Sequence, residues 1–271
     1  MIRELAAELV NLKREFHNTW DGKSQIQEVI PIESKRLSIK HNDLAQLHAF
    51  ASKNPIYYNS YEKTIDGTNC IVYEGDINRY WLDSILHSSS RAPFSPTWIM
   101  SAYVMSLLAK ELGFCEVVDI GSGDGRIAFC AKILDMKSHS IEIDKTLVDL
   151  QERLSGIADF DLYCSDAATF DYSLLDLRRP VFVIGGIAQM GGSDLAMTVL
   201  KKVNQNSNTG KNGWVFTGTY SQKYTPDPKN EAGWGTLIEE NNLNVLHTVC
   251  LPTCWTFHEP DETPYVFAAS A

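Results

Sequence analysis

Apolar side chains return every three or four positions along the start of the chain, at Ile2, Leu5, Leu9, Leu12 and Phe16, with charges between them. That spacing predicts a helix with one apolar stripe, ending near Trp20 and Asp21-Gly22. Periodicity then weakens to about residue 60, with DLAQLHAFASK as a second helix candidate. In TIDGTNCIVY, Asp66-Gly67 stands between β-prone flanks and predicts a hairpin. Residues 1–92 therefore read as a mixed α/β appendage.

From residue 93 the pattern becomes regular. SPTWIMSAYVMSLLAKELG predicts a helix capped by Ser95, with Pro96 in its first turn, Lys110 near its end and Gly113 as its stop. Strands at 115–120, 138–143, 159–163, 180–185 and 213–219 are interspersed with helices at 124–135, 146–155 and 193–204. Such a βαβ series builds a mostly parallel sheet with helices on both faces. LNVLHTVCLPTC and PYVFAASA are strand-like runs joined by a polar loop too short for a crossover helix, so they form a terminal antiparallel pair.

With 271 residues, 44% of them hydrophobic, the chain can bury one large core or a core with an attached module. The net charge of −10 is uneven: residues 1–92 carry 11 basic and 12 acidic side chains, residues 93–271 carry 13 and 22. An acidic surface repels phosphate backbones and attracts basic partners, so nucleic acid is disfavoured and a basic, protein-like acceptor favoured. The six cysteines include no CxxC pair, only Cys250 and Cys254 at CxxxC spacing, and read as reduced thiols, with no metal site expected. Charges interleaved through MIRELAAELVNLKREF exclude a signal peptide or membrane span there, which leads us to expect a cytoplasmic protein.

Chemistry concentrates in VVDIGSGDGR, residues 117–126, where Gly121, Gly123 and Gly125 alternate after an apolar strand. A loop from a strand into a helix can offer backbone N–H groups and a positive dipole end to a ligand. The dinucleotide pattern G-x-G-x-x-G fails, because Arg126 stands where its third glycine belongs. Asp119, two residues before the first glycine, would repel a phosphate but could orient the loop or accept from an ammonium.

The stretch DIGSGDG resembles the first motif of the class I S-adenosylmethionine-dependent methyltransferases, an acidic residue followed by G-x-G-x-G. SHSIEID places Glu142 at the end of the second strand, 23 residues after Asp119, and CSDAATF places Asp166 after the third. The resemblance implies a Rossmann-like, mostly parallel seven-stranded sheet with S-adenosylmethionine as cofactor. It further implies that Asp119, Gly121, Ser122, Gly123 and Gly125 form the cofactor loop, Glu142 accepts from the ribose hydroxyls, and Asp166 with Ala167 meets the adenine. Asp144 competes for the role of Glu142, which is preferred because it ends the apolar strand while Asp144 begins the next helix.

VFVIGGIAQMGG lacks the N/D-P-P-Y/F/W motif of relatives that methylate bases or glutamine. RAPFSPT followed by a helix and DIGSGDGRIAF is similar to the non-SET protein-lysine methyltransferases, notably small archaeal ones, over residues 91–185. By that resemblance Thr97 helps hold the methionine end of the cofactor. The acceptor would meet Gly185, Gly186, Gln189 and Tyr220, with Trp255 a further candidate, and residues 1–92 would recognise it. A small-molecule or RNA methyltransferase, or a non-catalytic cofactor-binding module, would keep the same cofactor residues.

Overall fold

The computed structural model describes residues 2–33, 37–85, 93–154, 156, 160–185, 192–206, 212–217, 234–252 and 262–270. Helix α1 (Ile2–Thr19) buries its predicted stripe. Strand β1 (Ile26–Pro31) follows, with all six residues buried. Helix α2 (His41–Lys53) turns Leu44, Leu47 and Phe50 inward. The predicted hairpin forms from β2 (Tyr57–Ile65) and β3 (Thr68–Gly75). At its tip Asp66 and Gly67 both take positive φ, 46° and 72°, so the two-residue turn matches the twist of the strands. These strands make an antiparallel sheet of order β1-β3-β2, and α3 (Asn78–Ile85) follows it.

The larger sheet has seven strands: β4 (Glu116–Ile120), β5 (Lys137–Glu142), β6 (Asp161–Cys164), β7 (Pro180–Ile184), β8 (Gly213–Phe216), β9 (Leu243–Pro252) and β10 (Glu262–Ser270). Its order is β6-β5-β4-β7-β8-β10-β9. The first five run parallel, while β10 lies antiparallel between β8 and β9. This is the expected Rossmann-like α/β sheet with its terminal antiparallel pair.

Alternation along the strands divides the core. Val117, Val181, Val183, Val215 and Phe267 face a cluster shared with α4 (Ile99–Glu111), α5 (Arg126–Ile133), α6 (Lys145–Leu154) and the N-terminal elements. Val118, Phe182, Trp214, Phe216 and Val266 face the other way, toward α7 (Gly192–Asn206) and α8 (Gly235–Glu240). Residues before 86 and after 92 thus contribute to one continuous core. Helix α4 is buried nearly all round because α5 packs against it together with the N-terminal α1 and β1.

Helix α4 also corrects a local expectation. Ser95 is exposed and the helix begins at Ile99, whose N–H donates to the Glu28 carboxylate at 3.0 Å. A carboxylate from β1 therefore does the work expected of Ser95. The expected stop holds: Gly113 has φ +87°, its N–H bonds Lys110 O at 3.0 Å, and Phe114 N–H bonds Ala109 O at 3.1 Å. That is a Schellman ending.

Candidate functional site

Parallel strands that end at one level bring their following residues into a row. Ile120 pairs with Ile141 and Ile184, Glu142 with Cys164, and Ile184 with Phe216. The carboxyl edge of the sheet therefore carries, from one side to the other, Asp166, Glu142, Gly121, Gly185 and Thr217. Ligands of open α/β sheets bind at this edge, where strand order reverses, and here the reversal lies between β4 and β7.

Gly121, Gly123 and Gly125 have φ of +68°, +60° and +78°, a region that costs other residues about 1–2 kcal/mol. Their surroundings differ. A Cβ on Gly123 would lie 2.5 Å from the Phe94 ring, and one on Gly125 would lie 2.8 Å from Gln151 Oε1 and 3.0 Å from Phe160. A Cβ on Gly121 would meet nothing within 4 Å. Gly121 is the glycine of this loop that faces open space.

The expectation of free loop amides is corrected by the hydrogen bonds. Gly121 N–H and Ser122 N–H donate to Ile141 O, at 2.9 and 3.3 Å, and Gly125 N–H donates to Ser122 O at 2.9 Å. Gly123 N–H donates to Glu142 Oε2 at 2.8 Å. Buried Gln151 donates to Ser122 Oγ at 2.9 Å and to Gly123 O at 2.8 Å, while Ser140 lies 2.5 Å from Ser122 Oγ. Ser122 thus points into the protein, and these four amides are spent on fixing the loop.

Three acids stand behind and beside it. Glu142 is 5% exposed; its Oε1 accepts from Ile143 and Asp144 N–H at 2.8 and 2.9 Å. Burial raises its pKa, opposed by those amides and Gly123. Asp144 caps α6 by accepting from Thr146 N–H at 2.8 Å, as expected, while its Oδ2 is buried without a partner. Asp119 is buried and its Oδ2 has no hydrogen-bond partner. Burial first, then the neighbouring Glu142 and Asp124, hold its carboxyl well above the ordinary range.

Asp166 is half-buried and its Oδ1 accepts from Ala168 N–H at 2.8 Å, while buried Ala167 offers its carbonyl to Tyr172 OH at 2.9 Å. Thr97 contributes its carbonyl, which accepts from Arg126 Nη1 at 2.5 Å. Gly185 is exposed at the end of β7. Gly186, Gln189, Tyr220 and Trp255 lie outside the described residues.

Sequence reasoning missed a buried polar centre beside the loop. Arg126 is 2% exposed, Glu28 is 0% and Asp124 is 1%. The guanidinium donates from Nε and Nη2 to Asp124 at 2.8 and 2.6 Å, from Nη1 to Glu28 and Thr97 O, both at 2.5 Å, and from Nη2 to Tyr57 OH at 3.2 Å. All five of its donors are used. Asn54 adds a bond to Asp124 at 2.8 Å, and Tyr57 OH donates to Glu28 at 3.0 Å. Burial opposes the charge on Arg126, but Asp124, Tyr57 and Glu28 outweigh it and raise its pKa. Two signals mark this centre in the sequence: an arginine inside a glycine motif, and a lone glutamate in the apolar run IQEVIP. Thr217 was missed too; its hydroxyl is buried without a partner, and its methyl would lie 3.8 Å from a Cβ on Gly185.

No protein-family model and no curated protein matches the sequence. Among solved structures, the chain is similar to a SAM-dependent methyltransferase from Aquifex aeolicus, at 13% identity over 62% of this chain and 89% of that one, TM-score 0.43. It is similar to the magnesium protoporphyrin IX methyltransferase of Synechocystis with bound SAM, at 10% identity over 64% and 78%, TM-score 0.45. A third is the Pyrococcus abyssi tRNA (uracil-54, C5)-methyltransferase in complex with S-adenosyl-L-homocysteine, at 13% identity over 66% of this chain but 40% of that one, TM-score 0.45. At these identities the likeness is one of fold. No helix among the described residues is long and apolar enough to cross a membrane.

Proposed function

We propose that this chain is an S-adenosylmethionine-dependent methyltransferase whose acceptor is a protein lysine amine. The observation that carries the cofactor reading is the row of Asp166, Glu142 and Gly121 on three adjacent strand ends, with space left open at Gly121. These residues fit the ligand's chemistry. Glu142 Oε1 spends both of its lone pairs on the Ile143 and Asp144 amides, whereas Oε2 spends one on Gly123 and keeps the other for a ribose hydroxyl. Asp166 and Ala167 would hold the adenine, while Gly121, Asp119 and Thr97 flank the methionine end. The unpartnered Asp119 Oδ2 suits an ammonium, whose charge would favour the carboxylate over the protonated form that burial favours in the free protein. When bound, S-adenosylmethionine supplies a methyl group on a positively charged sulfur, a good leaving group.

The protein's remaining tasks are alignment of the acceptor, exclusion of water and an uncharged nucleophile. Thr217, buried beside Gly185 with an unpartnered hydroxyl, is suited to orient an amine. Among charged acceptors, lysine suits the excess of 22 acidic over 13 basic side chains in residues 93–271, and apolar surroundings would lower its pKa toward the neutral amine. Transfer of labelled methyl into fractionated cell extract tests the proposal. Label on protein lysine is expected. Label in RNA or small metabolites would replace the acceptor, and binding of S-adenosylhomocysteine without any transfer would make the chain a non-catalytic module.

A further inference from the structure

We propose that Glu28 and Arg126 are a positioning pair that makes the N-terminal sheet part of the cofactor-binding unit, so that ligand affinity and the order of β1 rise and fall together. This rests on the cofactor reading above. The centre joins five separate pieces of chain: Glu28 in β1, Asn54 after α2, Tyr57 at the start of β2, Thr97 and Ile99 at the start of α4, and Asp124 with Arg126 in the glycine loop. Asp124 and Arg126 flank Gly125, whose φ of +78° turns the loop into α5.

Stability alone is a poor reason for such a centre, since a buried ion pair recovers little beyond its desolvation cost and well-packed apolar residues often serve as well. Direction is what the guanidinium adds. Five donors spent on Asp124, Glu28, Tyr57 and Thr97 O fix its plane, and Asn54 donates to the same Asp124 oxygen as Nη2. Glu28 spends its second oxygen on the Ile99 amide. Movement of the glycine loop around a ligand therefore pulls on β1 and on the start of α4. By linkage the effect is reciprocal.

Calorimetric titration of the full chain with S-adenosylhomocysteine, well below each variant's melting temperature, supplies the test, together with hydrogen exchange of the wild type with and without that ligand. Glu28→Gln keeps the shape and removes the charge; about tenfold weaker binding or more is expected. Arg126→Lys keeps the charge and loses the fork, and should not restore affinity. Tyr57→Phe, which removes one hydroxyl and leaves the charges paired, should weaken binding in the same direction if Glu28→Gln is too unstable to titrate. In the wild type the ligand should slow exchange of the β1 amides and of Ile99 N–H. If folded variants bind as the wild type does, if lysine at position 126 binds fully, or if β1 exchange ignores the ligand, the pair is structural only and the inference fails while the cofactor reading stands. Absence of binding by the wild type would remove both.

Discussion

Gly121 and Gly123 share a left-handed backbone but differ in what surrounds them, which separates two effects of substitution. Gly121→Ala meets no protein atom, so its stability cost should be the backbone term of about 1–2 kcal/mol, a few degrees of melting temperature. Its methyl would enter the open space, and S-adenosylhomocysteine affinity should fall about tenfold or more. Gly123→Val would drive a side chain into Phe94 and should unfold at clearly lower temperature than Gly121→Ala. Melting curves and titration of both variants check this; equal stability would mean that Phe94 yields freely. Asp119 gives a prediction in pH. Its folded pKa is raised, so the folded state holds the proton more tightly, and the stability it contributes is full below the unfolded value near 3.9 and lost as pH rises toward the folded value. Asp119→Asn keeps the shape of the side chain and does not titrate. Its melting temperature should exceed that of the wild type at pH 7, and the gap should close toward pH 4; parallel curves would mean Asp119 is ionised in the fold.

Elements are most legible where one face meets the core and the other meets water. The stripe of α1 and the hairpin at Asp66-Gly67 follow from local spacing, while the parallel strands, buried at every position in β4, β7 and β8, are legible instead as short apolar runs bounded by turns and helices, with boundaries displaced by a few residues. Elements covered on both faces give no alternation to follow. Strand β1 is buried at all six positions, and its one charge is matched by an arginine 98 residues away. The start of α4 depends on that same glutamate, which no pattern local to Ser95, Pro96 and Thr97 could reveal. The apolar run IMSAYVM does carry a sign of its double covering, because it has no polar side to leave in water. At the candidate site, Gly121, Glu142 and Asp166 are legible because each stands at the end of a strand or within two residues past it. The bonds that use up the loop amides are not, since they depend on the level at which β4 and β5 pair.

For the whole molecule, the shared core bears on how separable residues 1–92 are. Helix α1 packs on α4 and β9, and α2 packs on α5. Removing residues 1–75 uncovers one side of α4 and strips Glu28, Asn54 and Tyr57 from Arg126 and Asp124. The fragment should lose solubility and S-adenosylhomocysteine binding together, as read by gel filtration and calorimetry. A soluble fragment with wild-type affinity that no longer methylates would instead make residues 1–92 a detachable acceptor module. The place of β10 also sets a timetable for synthesis. As the chain emerges from its amino end, β8 waits for an antiparallel neighbour and β9 for any strand partner until residues 262–270 arrive. Helix α1, made first, waits for its seat on β9 until residues 243–252 follow. Contacts so distant in sequence are slow to form, and until the last strand slides between its neighbours the nascent chain carries open, apolar strand edges for a chaperone to shield.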